Sequence, residues 1–180
     1  MDSFEHVVAA VLHRQGYWIQ PSCKVELTKA EKVRIGRHSS PRWEIDIVAY
    51  DARRNHVIAV ECKSYLDSRG VQVSTFRGEN EPDQAQYKLF FEPTLRKVVL
   101  GALVRQLLKQ GFCRRAPGIT LGLAAGKIKG NEDWLKRYFI RKGWILFNPR
   151  DLSSELKAMH KESYENTVAA IVSKLILRYD

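Results

Sequence analysis

Cysteine is scarce in this 180-residue chain: Cys23, Cys62 and Cys113 lie 39 and 51 residues apart and form no CxxC pair. That spacing excludes a disulfide scaffold and a zinc ribbon, and it fits a reducing cytoplasm. Long apolar runs are also missing. No stretch approaches the ~18 residues of a membrane span, so no membrane partner is expected. The N-terminus carries Asp2 and Glu5 but no basic n-region, which argues against a signal peptide. Five histidines show no HxxxH or HExxH spacing, so zinc hydrolysis is unsupported. With no repeat, low-complexity tract or Pro/Gly/Ser linker, residues 1–180 read as a single domain. Its core is expected over about 3–148, with C-terminal helices over 150–178.

Acidic residues are under-represented. Thirty Lys and Arg against 20 Asp and Glu leave +10, and the excess is concentrated. Residues 96–150 hold 13 basic and only 2 acidic side chains, a block that suits a polyanion such as nucleic acid. The same block would also serve as a plain solubilising surface.

Phe4, Val7, Val8, Val11 and Leu12 recur at helical spacing, with Ser3 as N-cap and Gly16 as terminator. Trp18–Leu27 reads as extended, and Pro21 assigns it to an irregular or edge strand. The polar segment 28–41 reads as a loop. Trp43–Tyr50 and His56–Lys63 read as strands joined by Ala52-Arg53-Arg54-Asn55. After Ser64 about 20 residues show no clear period, and helical patterning resumes over Asp83–Phe91. A longer helix follows Pro93, with Leu95, Val98, Val99, Ala102, Leu103, Gln106 and Leu107 on one face. Ile119–Ala125 reads as a buried strand and Asn131–Arg141 as a helix capped by Asn131. Trp144–Phe147 forms a short strand, Pro149 and Asp151 open a helix, and another runs from about Ser163 to Leu177. The order α-β-β-β-α-β-α-β-α-α predicts an α/β domain with a mixed sheet between helices.

Two of those strands carry the chemistry. Alternation puts Glu44, Asp46, Val48 and Tyr50 on one face, and Val57, Ala59, Glu61 and Lys63 on one face of the next strand. A turn that closes with Asp51 opposite His56 sets Asp46 across from Glu61, with Cβ atoms about 5 Å apart. Carboxylates that close, among Val and Ala, repel each other unless a cation lies between them. Oxygen ligation by one or two carboxylates plus substrate phosphate suits Mg²⁺. Lys63 brings an ammonium to the same place, able to orient or deprotonate a water or hold a phosphate. Together these groups describe metal-assisted phosphodiester hydrolysis. The chain has its own control: Glu155-Leu156-Lys157 is a second ExK, but on a helix its ends point about 200° apart.

Trp43-Glu-Ile-Asp-Ile-Val-Ala-Tyr50 followed by Val57-Ile-Ala-Val-Glu-Cys-Lys-Ser64 resembles the core of the PD-(D/E)XK nuclease superfamily. The likeness is nearest to Holliday-junction resolvase and Mrr-type cores. It covers residues 3–64 well and 119–148 as an element order. The resemblance implies a restriction-endonuclease-like three-layer fold and a metal-dependent endonuclease acting on duplex or branched DNA. Mg²⁺, replaceable by Mn²⁺, would be held by Asp46, Glu61 and the backbone carbonyl of Cys62, with Lys63 serving the attacking water. Phe4-Glu5-His6-Val7-Val8 is similar to the first helix of members that place a Glu there, which makes Glu5 a further catalytic candidate. The proline of the family's name is absent, with Ile45 before Asp46, so Glu44 competes for the acidic position.

Other features carry less. Gly122-Leu-Ala-Ala-Gly126-Lys127 falls one residue short of a phosphate loop and reads as a strand ending in a turn. The Cys62 side chain points away from the site and reads as a small buried apolar group. Gln84 and Gln86 open the helix after the irregular stretch, where related nucleases place a polar residue near the metal. Trp134, Tyr138 and Trp144, among Lys136, Arg137, Arg141 and Lys142, suit either core packing or a stacking and phosphate surface. Arg34, Arg37 and Arg42 would add phosphate contacts. Segment 65–82 carries Tyr65, Gln72, Thr75, Phe76, Arg77 and Asn80, a set that reads base edges or, alternatively, covers the sheet edge. A homodimer suits cutting of both strands. The C-terminal stripe of Val168, Ile171, Val172, Leu175 and Ile176 serves either that interface or the core. The alternatives to a DNA endonuclease are a catalytically inactive DNA-binding or assembly subunit of the same fold, or an RNA nuclease.

Overall fold

A computed structural model describes residues 1–37, 42–160 and 167–177. The chain runs α1 (Ser3–Arg14), β1 (Trp18–Val25), α2 (Lys29–Arg34), β2 (Trp43–Asp51), β3 (His56–Lys63), β4 (Val71–Gln72), α3 (Val73–Arg77) and α4 (Glu81–Gln84). A 3-10 turn at Ala85–Tyr87 leads into α5 (Lys88–Phe91) and α6 (Pro93–Lys109). Then come β5 (Gly118–Ala125), β6 (Ile128–Lys129), α7 (Glu132–Arg141), β7 (Ile145–Phe147), α8 (Pro149–His160) and α9 (Val168–Ile176).

The main sheet is five-stranded and mixed, in the order β1-β2-β3-β5-β7. β1, β2 and β3 are antiparallel neighbours, while β3, β5 and β7 run parallel. The parallel strands therefore end at one edge, with Lys63, Ala125 and Phe147 as their last residues. Helices cover both faces. Val8, Val11 and Leu12 of α1, Leu152 and Met159 of α8 and Ala169 of α9 pack with Ile47, Ala49, Ile58 and Val60. On the opposite face α6 and α7 pack with Val48, Tyr50, Val57, Ala59, Leu121 and Leu123. This is the α/β architecture with a flanked mixed sheet that the element order predicts. No helix among the described residues is long and apolar enough to cross a membrane.

Local chemistry fixes the central hairpin. The Asp51 carboxylate accepts the backbone N–H groups of Arg53 and Arg54, and Asn55 adopts φ +50, a left-handed conformation that Asn tolerates. Tyr50 Oη donates to Asn55 Oδ1 at 3.0 Å, tying the strand to the turn. The pairing runs from Asp51↔His56 to Ile47↔Val60, the expected register.

Several expectations need correction. Asp2, not Ser3, caps α1, because its carboxylate reaches Glu5 N at 2.8 Å while Glu5 Oε2 accepts Asp2 N. Within segment 28–41, Thr28 and Glu31 form a second capping box that starts α2; residues 38–41 lie outside the described residues. Gln106 is not a core residue: its side chain donates to Lys24 O and accepts from Glu26 N, holding the end of edge strand β1. Segment 65–82 is folded. Val71, Val73, Thr75 and Phe76 are buried, and β4 pairs with β6 in a small parallel sheet. The expected helix at Asp83–Phe91 breaks into α4, the 3-10 turn and α5. The Ser163 start of the last helix lies outside the described residues, and α9 begins at Val168. The α9 stripe of Val168, Ile171, Val172, Leu175 and Ile176 is exposed throughout, and the helix packs inward through Ala169 and Ala170 instead.

Candidate active site

The site lies where β2 and β3 part. Regular pairing stops at Ile47↔Val60, one position before Asp46 would oppose Glu61. Instead the Asp46 carboxylate takes the place of backbone: Cys62 N donates to Asp46 Oδ2 at 2.7 Å. The opposite side of β2 is interrupted at the same residue. β1 pairs Pro21 with Ile47 and Cys23 with Ile45 but skips the Ser22 and Asp46 position between them. Ser22 has φ +47, and its buried hydroxyl has no partner among the described residues.

This interruption changes which way the strand faces. Ile47 packs on the α1 side, yet Ile45, two residues away, joins the α6-side cluster with Cys23, Val25 and Val48. Alternation alone would put Ile45 and Ile47 together. Both strands turn over at Ser22 and Asp46. The simple face assignment that grouped Glu44, Asp46 and Val48 therefore fails below Ile47. Its chemical consequence survives, because Asp46 still feels Lys63, and Glu61 still feels Asp46.

The charges are crowded. Lys63 Nζ lies 3.9 Å from Glu61 Oε2, with side chains only 22% and 15% exposed, which makes this a largely sheltered pair. Burial, reinforced by the negative charge of Asp46 and opposed by Lys63, pushes Glu61 from 4.5 up to about 7. Burial also raises Asp46, against the Cys62 N–H bond and Lys63, which pull it down. One ammonium thus faces two half-buried carboxylates. Glu5 stands close enough for Asp46 to raise it further, after burial as the main cause. One of its oxygens is committed to the capping box, with the N-terminal ammonium 3.8 Å away.

The other sequence candidates separate clearly. Glu44 is exposed, so Asp46 is the acid of β2 that reaches β3. Burial, and next the charge of Asp46, holds the Cys62 thiol protonated far above its usual range, which removes it as a nucleophile. Gln84 donates to Thr75 O at 3.4 Å, and Gln86 Oε1 accepts from Tyr65 Oη at 2.6 Å. Gly126 packs so closely on Ser64 O that a Cβ would lie 2.3 Å from it, and β6 rather than a helix follows, so no phosphate loop forms. Lys127 Nζ is spent on Ser68 O at 2.7 Å.

The basic block is not one surface. Arg96 donates to Leu89 O and Phe90 O and stacks on Trp144, Arg105 pairs with Glu31, and Arg114 donates to Ala52 O. Lys136 pairs with Asp151, and Arg37 lies over the Trp43 ring. Arg137 and Arg141 stay exposed on α7 beside Ile140, which is 67% exposed. Trp134 and Tyr138 stack at 15° with Arg77 over Trp134, so these aromatics are half core and half surface. Ser22 is the site neighbour that sequence reasoning missed; Pro21 before it was the available signal of an interrupted strand.

Among the described residues no group of three or more His, Cys, Asp and Glu side chains could hold a metal ion. Two carboxylates and a strand backbone are what this edge offers, an incomplete shell of hard oxygen donors. No protein-family model, curated protein or solved structure matches the chain.

Proposed function

We propose that this protein is a metal-dependent endonuclease of the restriction-endonuclease-like class, acting on DNA. The observation that carries the reading is the pair of half-buried carboxylates, Asp46 and Glu61, at a parted strand edge with Lys63 as their shared cation. Such an arrangement costs folding energy unless a further positive charge enters. Mg²⁺, or Mn²⁺ in its place, fits the donor set, since it takes one or two carboxylates and completes its shell with water and phosphate oxygens.

Asp46 Oδ2 is occupied by Cys62 N, which leaves Oδ1 for a ligand. In an antiparallel pair the N–H and C=O of one residue face the same neighbour. The Cys62 carbonyl therefore belongs to the same gap as its N–H and supplies the third oxygen. When bound, the cation would supply Lewis-acid stabilisation of the phosphoryl charge. Lys63, held beside Glu61, orients the attacking water by donating to it and holds a phosphate oxygen. Glu5, with one oxygen free of its cap, stands on the α1 side of the same gap.

Incubation with Mg²⁺ and plasmid, linear, junction and single-stranded DNA, and with RNA, tests the reading. Wild-type protein is expected to cut DNA. Asp46→Ala and Glu61→Ala are expected to lose cleavage while staying folded and DNA-binding. Full activity in Glu61→Ala overturns the assignment, and DNA binding without turnover in the wild type leaves the inactive subunit. Phosphate affinity is placed on α7. Removing Arg137 and Arg141 together is expected to lower the salt slope for duplex binding by about 1.8, at about 0.9 per contact.

A further inference from the structure

Segment 64–70 leaves the Lys63 end of β3 and folds back against the end of β5. Gly126 N donates to Lys63 O, Val71 N to Lys127 O and Lys127 Nζ to Ser68 O. Tyr65, at φ +43, is held in a conformation that a tyrosine rarely adopts. Behind it opens a pocket of about 340 Å³ whose walls include Tyr65, Gln72, Asp83, Gln86 and Tyr87. Tyr65 is two residues from Lys63, so their Cα atoms are within about 7 Å.

The polar groups of this pocket are only partly used. Tyr65 Oη donates to Gln86 Oε1, while Gln72 Nε2 and Asn80 Nδ2 both donate to Asp83 Oδ2. Among the described residues that leaves the Gln86 amide nitrogen, the Gln72 amide oxygen and Asp83 Oδ1 without a partner. Thr75 is fully buried behind the wall, and its hydroxyl, which has no partner among the described residues, is out of reach of the pocket. A concave pocket whose converging polar groups the protein pairs on one side only is a place for a ligand. A donor amide, an acceptor amide and a carboxylate match the mixed edge of a nucleobase, and the half-exposed Tyr65 ring offers a stacking face. The carboxylate selects for a base with an amino group. Arg69, exposed at the rim, suits the attached phosphate.

We infer that this pocket receives one unpaired, amino-bearing nucleobase of the DNA strand lying across the Asp46–Glu61–Lys63 edge. The substrate is then DNA with an unstacked base, such as a bulge or branch point, rather than intact duplex. An unpaired base enters at low cost because its stacking and pairing are already lost. This inference rests on the nuclease reading for its substrate but not for its measurement.

The test is binding in EDTA, where no cleavage occurs. Three labelled DNAs of equal length are compared: fully paired, with a single bulged dG, and with a single bulged dT. The wild type is expected to bind the dG bulge about tenfold more tightly than the paired duplex, and more tightly than the dT bulge. Gln86→Ala, at an exposed position, and Asp83→Asn, which keeps the shape of the side chain, are each checked for folding by circular dichroism. Loss of the dG preference in either folded variant supports the pocket. Equal binding of all three DNAs by the wild type, or a preference kept in both variants, overturns it. If equal binding accompanies Mg²⁺-dependent cleavage, the pocket falls and the nuclease reading stands. If the wild type binds none of the DNAs, both fall.

Discussion

The β2–β3 hairpin and segment 65–91 meet at one edge of the sheet, but different forces hold them. The hairpin is a regular ladder, buried on both faces, and it carries carboxylates into the interior at a cost. Segment 65–91 has two residues of strand and a chain of short helical pieces, α3 to α5. Phe76 is the centre of its aromatic packing, within 5.2–6.2 Å of Tyr87, Phe90, Phe91, Tyr138 and Phe139, ring centre to centre, and Val71, Val73, Leu89 and Phe90 are buried with it. Side-chain hydrogen bonds add to this packing, as in Gln84 to Thr75 O and Asn80 to Asp83. The hairpin brings like charges together where its pairing ends, whereas the polar side chains of the segment, paired on one side only, leave atoms free for a ligand.

Phe76→Ala is expected to give the largest effect, a loss of about 3–5 kcal/mol of stability in denaturant melts. A loss below about 1 kcal/mol would show that the segment is a loose cover and erase the distinction. For the same reason, replacing Val71–Asn80 with a Gly/Ser linker is expected to unfold this side of the core.

The hairpin predicts the opposite sign. Between pH 4.5 and about 7 the folded protein keeps a proton on Glu61 that the unfolded chain has released. Stability therefore falls as pH rises through that window, and the full cost is present above it. Glu61→Gln removes the cost. In the presence of chelator its melting temperature is expected to exceed that of the wild type at pH 8, by up to about 3 kcal/mol of stability, with the gap closing towards pH 4.5. Mg²⁺ at pH 8 is expected to raise the wild-type melting temperature and leave Glu61→Gln unmoved.

Tyr65→Phe acts where the two regions join. Removing the hydroxyl that donates to Gln86 is expected to cost about 1 kcal/mol, read in the same melts. A loss as large as that of Phe76→Ala would make the junction, rather than the aromatic anchor, the support of the segment.

The antiparallel hairpin, its register, the helix after Pro93 and the Asn131 cap follow from alternation, periodicity and turn chemistry carried within a few neighbouring residues. The nearness of Asp46, Glu61 and Lys63 was legible in the same way, since a short turn fixes which residues oppose each other. Tertiary structure alone decided the turnover at Ser22 and Asp46, because it depends on β1 pairing with β2 across a skipped position. It also decided the fate of the basic block. Arg105 and Arg114 found a carboxylate and a carbonyl distant in the chain, which no local count of charge reveals. Segment 65–82 lacked a period because its order comes from contacts with β6, α7 and Phe139, not from a repeating face of its own. Periodic patterns record burial against a broad surface; a segment pinned at single points leaves no such record.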